Sequence, residues 1–229
     1  MDNDREPCFV VSPHLDDAVF SCGMLLSTHP GSVVCTVFAG EPRKRLVTPW
    51  DTAAGFADSH EAMHMRWRED HHALSLCGAR AVRLSFLDSQ YAALPEPAEI
   101  AEGIASAWRE SGIERLIVPL GLHHSDHLAT AEGCALLLRE GRLRACIAYE
   151  DALYRTHPGI VREKRELLAR AGVSTRPLPE DVLGKRSGTA AAVAKRHAVR
   201  AYGTQLRALD DAYPYDLAEP ERFWLLEAA

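Results

Sequence analysis

The sequence has no long apolar run, no excess of basic charge and no closely paired cysteines. No stretch approaches the ~20 consecutive apolar residues that a membrane-spanning helix requires, and the short acidic start of the chain does not resemble a signal peptide. The formal net charge of −6 argues against the basic surface of a nucleic-acid binder. The six cysteines never form a C-x-x-C pair, which favours free thiols in a reducing compartment. We therefore expect a cytoplasmic protein with no membrane or nucleic-acid partner.

Three signatures of common enzyme classes are also missing. The first strand-to-helix turn has no G-x-G-x-x-G, and the chain contains neither G-x-x-x-x-G-K-[ST] nor G-x-S-x-G. These absences argue against a dinucleotide-binding turn, a P-loop and the nucleophile elbow of serine hydrolases. The chemistry must therefore come from another set of side chains.

A polar loop takes the place of a glycine-rich first turn. The apolar run at residues 8–11 ends at a Ser-Pro pair, and His14, Asp16 and Asp17 follow before a helical segment begins. Open α/β sheets bind ligands at the carboxyl ends of strands, where this loop would lie. Adjacent carboxylates point in different directions, so one can bind a metal ion while the other faces the metal's water. The alternative is that both aspartates only cap the helix, since anionic residues suit its first turn.

A second polar loop follows the apolar run at residues 116–120. It contains three histidines and one aspartate within five residues: His123, His124, Asp126 and His127. Core packing does not require such a cluster, although a solvated histidine-rich loop is the simpler interpretation. Two clusters that each follow a predicted strand favour a functional site.

Together the two loops offer a set of metal ligands. His14, Asp17 and His127 could supply two imidazoles and one carboxylate. Catalytic zinc favours three protein ligands, which leave the fourth position for water or substrate. His60 and His64 also lie one helical turn apart, but the sequence shows no third ligand at a matching position, so we interpret them as surface residues.

Predicted strands alternate with predicted helices along the chain, which indicates an α/β fold with a mainly parallel sheet. We expect a Rossmann-like three-layer sandwich with both motif loops at the carboxyl ends of strands. The 229 residues, 47% of them apolar, suit one domain, 1–229, with an inserted arm at about 155–187. The long connection at 39–59 is predicted to be a substrate-facing flap. Asp88 follows another strand and either binds a substrate hydroxyl or amine or caps a turn.

The two motifs together resemble those of the LmbE-like, or PIG-L, family of zinc-dependent N-acyl deacetylases. That family has His-x-Asp-Asp after its first strand and His-x-Asp-His after a later one. This chain has His14-Leu15-Asp16-Asp17 and His124-Ser125-Asp126-His127. Weaker similarities extend over most of the chain: Gly40-Glu41, Arg66, Glu69, Ala73, Gly78, Lys195, Ala198, Tyr202 and Gln205.

The resemblance implies a role for each motif residue. It implies one Zn²⁺ per chain with these ligands: His14, Asp17 and His127. Asp16 would be the general base, and His124 would be the general acid or stabilise the oxyanion. Asp126 would orient the His124 imidazole, as a carboxylate holds a catalytic histidine. Arg66 would bind a hydroxyl or carboxylate of the substrate.

The expected activity is therefore hydrolysis of an N-acyl group, in the first place acetyl, from an amino sugar or a glycosylated small molecule, including natural products. Alternatives are a thiol-conjugate amidase of the same family, a phosphoesterase using the same metal, and a non-catalytic metabolite-binding module. Leu15, where the family often has proline, and Ala18, where it often has glutamate, change neither the expected ligands nor the base. Family members often assemble, so a homo-oligomer stays open.

Overall fold

The computed structural model describes residues 5–179, 183, 188–211 and 214–228. Within these residues, a seven-stranded sheet forms the centre of the molecule. Its strands are β1 Cys8–Ser12, β2 Val33–Thr36, β3 Arg80–Arg83, β4 Arg115–Pro119, β5 Ala145–Tyr149, β6 Val173–Pro177 and β7 Phe223–Ala228. The helices are α1 Asp17–Thr28, α2 Pro49–Ala54, α3 Ser59–Leu76, α4 Pro97–Ser111, α5 Ser125–Arg139, α6 Ile160–Arg170, α7 Thr189–Arg200 and α8 Gly203–Ala208.

The order of the strands creates a crevice at the centre of the sheet. Across the sheet the order is β3-β2-β1-β4-β5-β7-β6, and the first five strands of that order pair in parallel. From β1 the chain moves outward to β2 and β3, then returns to the other side of β1 for β4. In open α/β sheets such a reversal of direction marks the ligand-binding crevice. The predicted α/β fold with a mainly parallel sheet is confirmed.

Helices cover both faces of the sheet, so the molecule has three layers. On one face Leu25 of α1, Leu74 of α3 and Val199 of α7 belong to one apolar cluster. On the other face Ile104 of α4 and Leu137 of α5 belong to a second cluster. Burial on both faces explains why β1 is an uninterrupted apolar run rather than an alternating strand. No helix in the described part of the chain has the length and apolarity needed to cross a membrane.

Helix α1 is interrupted, and the break is capped by a distant carboxylate. Cys22 has non-helical backbone angles (φ −130°, ψ 17°), so the backbone N–H groups that follow it need another acceptor. The carboxylate of Glu221 accepts from the N–H of Met24 at 2.7 Å and from the N–H of Leu25 at 3.0 Å. The buried Lys195 ammonium donates to the same carboxylate at 3.0 Å. The Glu221 carboxylate at this break therefore joins α1, α7 and the segment before β7.

The two segments that we predicted to be a substrate-facing flap and an inserted arm both contain regular secondary structure. The connection at 39–59 includes α2, whose first turn is capped by the Thr48 hydroxyl accepting from the Asp51 N–H at 3.1 Å. The segment at 155–187, which we predicted to be an inserted arm, contains α6 and the edge strand β6; residues 180–182 and 184–187 lie outside the described residues. Two helices, α7 and α8, follow this segment.

The buried carboxyl group of Asp70, which joins three elements, is expected to make stability depend on pH. It accepts a hydrogen bond from Arg83 at 2.5 Å and another from the Tyr202 hydroxyl at 3.3 Å. Burial nevertheless raises its pKa from 3.8 to about 6. Between these two values the folded state binds more protons than the unfolded state, so the free energy of unfolding falls as pH rises. A shift of this size corresponds to about 3 kcal/mol, lost between about pH 4 and pH 7.

Urea unfolding of wild type and Asp70→Asn across this pH range measures the effect. The difference in unfolding free energy between the two proteins should move by about 3 kcal/mol in favour of the variant as pH rises. Other titrating groups cancel in this difference. A difference that is independent of pH would show that the pKa of Asp70 is the same in the folded and unfolded states.

Candidate active site

The two sequence motifs lie next to each other at the centre of the sheet. Strands β1 and β4 are neighbours and run in parallel, so the loops that follow them meet at the same edge. The Ser12 hydroxyl fixes the first loop, because it donates to the His14 carbonyl at 2.5 Å and accepts from the Ala18 N–H at 2.9 Å. In the second loop His124 is the N-cap of α5. The fold thus brings the imidazoles and carboxylates of both motifs into one cluster.

Asp17 lies between the two imidazoles that we predicted to be ligands. Its Oδ2 atom is 3.2 Å from His14 Nδ1 and 3.1 Å from His127 Nε2. His127 is 1% exposed, and its Nε2 atom has no hydrogen-bond partner among the described residues. A buried imidazole nitrogen without a hydrogen bond beside a carboxylate is the arrangement that a cation would complete. These three residues therefore fit a divalent metal ion.

Asp151 fixes the orientation of His127, and the sequence analysis gave it no role. Its Oδ1 atom lies 2.7 Å from His127 Nδ1, and its Oδ2 atom accepts from the Gly121 N–H at 2.9 Å. Metal-binding histidines usually donate their second ring N–H to such a carboxylate, which leaves the other nitrogen free to bind the metal. Its position directly after β5, at the sheet edge where both motifs lie, was the signal that could have identified it.

Removing the Asp151 carboxylate is expected to weaken zinc binding about 10–100-fold. In Asp151→Ala the His127 ring would lose the acceptor that selects its tautomer and holds its orientation. Competitive titration of zinc against a chelator of known affinity measures the change. The matched control is Glu150→Gln, because Glu150 bonds to the Trp224 indole instead and its variant should bind zinc as tightly as wild type. Equal affinities for all three proteins would contradict the role of Asp151.

The electrostatics of the cluster favour positive charge at its centre. Burial opposes the charged form of each group, but the attraction between them is stronger. The carboxylates of Asp17 and Asp151 raise the pKa of His127 to about 9, and the imidazoles of His127 and His14 hold the pKa of Asp17 well below its ordinary value. Hydrogen bonds to Asp126 and Asp17 raise the pKa of His14 well above its usual range. The carboxylates therefore stabilise positive charge at this position, carried either by protons on the two imidazoles or by a metal ion.

Asp16 has the opposite electrostatic surroundings from Asp17. Burial and the neighbouring Asp17 carboxylate raise the pKa of Asp16 to about 7, against the opposing charges of His14 and Arg66. The residue lines the cavity over the cluster. A carboxyl group with a pKa near neutrality can both accept and release a proton at physiological pH. Of the two adjacent aspartates, Asp16 therefore has the raised pKa that suits a general base, whereas Asp17 has the lowered pKa that suits a metal ligand.

The carboxylate of Asp126 contacts His14 rather than His124. Its Oδ2 atom is 2.9 Å from His14 Nε2 and accepts from the Ser89 N–H at 3.1 Å. Its Oδ1 atom is 3.8 Å from His124 Nδ1, which is longer than a hydrogen bond. As the N-cap of α5, His124 instead accepts the Asp126 backbone N–H at Nδ1, at 3.3 Å. The Asp126 backbone N–H therefore helps to orient this imidazole, and the Asp126 carboxylate lies at ion-pair distance from the same nitrogen.

Two donor sets at metal-binding distances share residues with the predicted ligands, and neither of them includes Asp17. His14, His124 and His127 have ligand atoms within 4.8 Å of one another, and so do His14, Asp88 and Asp126. His14 is common to both sets and to the predicted ligand set. The cluster therefore offers a metal ion more donors than a tetrahedral site needs.

The two residues predicted to bind substrate already have partners within the protein. The Arg66 guanidinium donates to Asp51 Oδ1 at 2.6 Å and to the Tyr91 hydroxyl at 3.1 Å, while its buried Nε has no hydrogen-bond partner among the described residues. Asp88 accepts from the Gln90 backbone N–H and side chain, both at 2.9 Å. Both Arg66 and Asp88 line the cavity. They remain predicted substrate-binding residues, with Arg66 also holding the 39–59 connection through Asp51.

The cavity above the cluster has a volume of about 400 Å³, which suits a small ligand. Aromatic and apolar side chains form much of its wall: Phe20, Phe38, Trp50, Met63, Tyr154 and Tyr202. A small number of polar groups, contributed by the two motifs, lie at one side of this wall. This division is typical of a site that binds an organic molecule and reacts at one end of it.

A strained turn places Tyr154 against the imidazoles. Leu153 has φ 71° and ψ −44°, a conformation that costs a non-glycine residue about 1–3 kcal/mol. Asp216 holds the turn, because its carboxylate accepts from the Leu153 N–H at 2.7 Å and from Arg155 Nε at 2.9 Å. The Tyr154 ring centroid consequently lies 4.9 Å from that of His127.

A parallel-sheet switch point with paired imidazoles, two unlike carboxylates and a largely apolar cavity is typical of a metal-dependent hydrolase site. The chain belongs to the GlcNAc-PI de-N-acetylase (PIG-L) family, whose sequence profile matches residues 9–137. The matched region includes every residue of the two motifs. It therefore confirms the resemblance that the motifs indicated.

Solved structures with this fold include antibiotic deacetylases. The zinc-inhibited form of teicoplanin deacetylase Orf2 has a TM-score of 0.79 at 21% identity, with 97% of this chain and 98% of that chain covered. The A40926 pseudoaglycone deacetylase Dbv21 has a TM-score of 0.73 at 24% identity, with 98% and 99% covered. The 4-carboxy-2-hydroxymuconate hydratase GalB from Pseudomonas putida has a TM-score of 0.53 at 14% identity, with 98% and 96% covered. No curated protein sequence gives a significant match. At these identities the structures establish the fold, and the hydratase shows that the fold alone does not select the reaction.

Proposed function

We propose that the protein is a zinc-dependent N-deacetylase that releases acetate from an N-acetylated amino sugar carried on a glycosylated small molecule. The observation that carries the proposal is the convergence of His14, Asp17 and His127 around a buried imidazole nitrogen, with Asp16 beside them. Membership of the family supplies the class of reaction.

Each side chain has a distinct part in amide hydrolysis. His14, Asp17 and His127 would hold the zinc, which when bound activates water and polarises the acyl carbonyl. Asp16 accepts the water proton, because its raised pKa makes it the more basic carboxylate of the pair. His124 lies beside His14, and because its Nδ1 accepts the Asp126 N–H, its one proton is on Nε2. It would therefore donate a hydrogen bond to the oxyanion, and Asp16 would pass the water proton on to the leaving amine.

The shape of the cavity supports a substrate that is partly apolar. Trp50 and Tyr154 present ring surfaces to the cavity, and such faces pack well against the apolar faces of sugars and aromatic aglycones. Similarity over nearly the whole chain to deacetylases of teicoplanin and of the A40926 pseudoaglycone supports a glycosylated natural product as the substrate. The burial of all six cysteines supports a reducing cytoplasm as the compartment.

The test compares zinc-loaded wild type with His127→Ala on a panel of N-acetylated amino sugars, free and attached to aromatic aglycones. Wild type should bind zinc and release acetate together with a free amine, whereas His127→Ala should lose the active-site metal and the turnover. We expect the attached sugars to react faster than the free ones. If wild type binds zinc but releases acetate from none of the compounds, the proposed substrate class is wrong. If wild type binds no divalent metal, the proposal of a metal-dependent hydrolase is wrong.

A further inference from the structure

The side-chain amide of Gln205 contains a buried hydrogen-bond donor that the protein does not use. Gln205 of α8 is 7% exposed and lines the catalytic cavity. Its Oε1 atom accepts from the Trp50 indole N–H at 3.3 Å, whereas its Nε2 atom has no hydrogen-bond partner in the part of the chain that the structure describes. A buried donor without an acceptor destabilises a protein, so an acceptor on a bound molecule would stabilise this arrangement.

The indole of Trp50 determines which end of this amide is free. An indole has one donor and no acceptor, so it bonds to the amide oxygen and not to the amide nitrogen. Turning the amide over would place two N–H groups against each other. The free end of Gln205 is therefore its NH2 group, which donates and cannot accept. Because Trp50 belongs to α2, the connection at 39–59 sets the orientation of a residue of α8.

The next residue of α2 leaves a second buried donor free on the cavity wall. Asp51 Oδ1 accepts from Arg66 Nη2 at 2.6 Å, and Asp51 Oδ2 accepts from the Tyr91 hydroxyl at 2.8 Å. The Nε atom of Arg66 has no hydrogen-bond partner among the described residues, and Arg66 is 6% exposed. Two consecutive residues, Trp50 and Asp51, thus each hold one cavity-lining side chain and leave it with a free N–H group.

The hydrogen bonds already made here select the chemistry of a ligand. A sugar hydroxyl that accepts from Gln205 would have to compete with protein donors for the oxygens of Gln205 and Asp51 in order to place its own proton. A carboxylate or a carbonyl has no proton to place, and a hydrogen bond to a carboxylate is roughly twice as strong as a neutral one. Since Asp51 already compensates the charge of Arg66, the site suits either group.

We propose that Gln205, together with Arg66, donates hydrogen bonds to an acceptor-only group of the substrate, a carboxylate or a carbonyl, and that Trp50 is the positioning residue of Gln205. This group is distinct from the scissile acetyl group, whose carbonyl oxygen His124 would bind. The inference rests on the proposed function, because it concerns the substrate of the same cavity. It narrows the substrate to amino sugars or conjugates that carry an acid, ester or similar substituent.

Calorimetry with three sugars tests the proposal: N-acetylglucosamine, N-acetylglucosaminuronic acid with its carboxylate at C6, and N-acetylmuramic acid with its carboxylate on the O3 lactyl group. The zinc-loaded full chain carries Asp16→Asn, so that turnover does not disturb the measurement. At least one acid should bind more tightly than N-acetylglucosamine. Adding Gln205→Glu, which keeps the oxygen for Trp50 and replaces the NH2 group, should weaken binding of that acid about 10–100-fold and change N-acetylglucosamine little.

Two further measurements separate the contributions. If the methyl ester binds as tightly as the acid, the group is a neutral carbonyl, and if the acid binds more tightly, it is a carboxylate. Trp50→Phe keeps an aromatic ring but frees the amide of Gln205 to turn. It should therefore reduce the preference for the acid over N-acetylglucosamine several-fold, whereas a merely structural role would weaken both sugars equally.

Gln90→Glu is the matched control, because Gln90 lines the same cavity but both ends of its amide are bonded. Its oxygen accepts from Thr48 at 2.6 Å and its nitrogen donates to Asp88 at 2.9 Å. This variant adds the same charge to the cavity and should keep most of the preference for the acid.

The proposal is overturned if neither acid binds more tightly than N-acetylglucosamine. It is equally overturned if the preference for an acid does not depend on Gln205, which would indicate a carboxylate held by the zinc, or if Gln90→Glu reduces it to the same extent. Acetate release by wild type is measured separately. Binding of an acid through Gln205 without deacetylation of any sugar would refute the deacetylase and leave this subsite in place.

Discussion

Asp16→Asn is expected to lower kcat by about 10²–10⁴, the usual contribution of a positioned general base, while one zinc ion stays bound at the catalytic site. The amide preserves the size of the side chain but cannot accept the water proton. The contacts of Asp17 with His14 and His127 stay intact, because Asp16 takes part in neither of them. Acetate release and metal content measured on the same preparation give both quantities.

Asp17→Asn is the matched comparison for that experiment. Asp17 contacts both imidazoles, so its variant should lose zinc affinity together with turnover. The two adjacent substitutions are chemically identical, and only their places in the site differ. Loss of zinc in Asp16→Asn would make Asp16 a ligand, and unchanged turnover would move the base to another residue.

Asp216→Ala is expected to reduce the free energy of unfolding by about 3–5 kcal/mol, the cost of leaving one partner of a buried ion pair without the other. The side chain of Arg155 is 3% exposed and also donates to the Pro220 carbonyl, so its charge would stay buried. The Leu153 N–H would lose its acceptor in the same variant. Such a loss is a large part of the stability of a typical domain.

Urea unfolding of Asp216→Ala, Arg155→Ala and the double variant measures this contribution. The double variant should lose less stability than the sum of the two single variants, because no uncompensated charge then remains. In Asp216→Ala we also expect weaker substrate binding, since the turn that carries Tyr154 to the cavity is released. Strict additivity of the three stability changes would contradict an ion pair that acts as a unit.

Much of the fold and the composition of the candidate site could be predicted from the sequence. Apolar runs that end in polar loops locate β1 and β4, and the rule for parallel sheets brings their loops to one edge. Two motifs separated by more than a hundred residues in the chain were therefore expected to meet, as the structure shows. This inference depends only on local patterns and on one general property of α/β sheets.

The contacts that orient the site could not be predicted in this way. Asp151 was visible after β5, but its bond to His127 depends on the register between β4 and β5. The pairing of Arg66 with Asp51 depends on how α2 folds against α3. The strain at Leu153 has no local sequence signal at all, since glycine is the usual residue for positive φ.

The capped break in α1 also determines when the protein can mature during synthesis. Asp17 lies at the start of that helix, yet the carboxylate that completes the helix at Met24 and Leu25 belongs to Glu221. A nascent chain still lacking Glu221 carries both motifs but has open backbone N–H groups in the middle of α1. Synthesis must therefore reach Glu221 before the first motif has its final support, and we expect activity only in chains that include this residue.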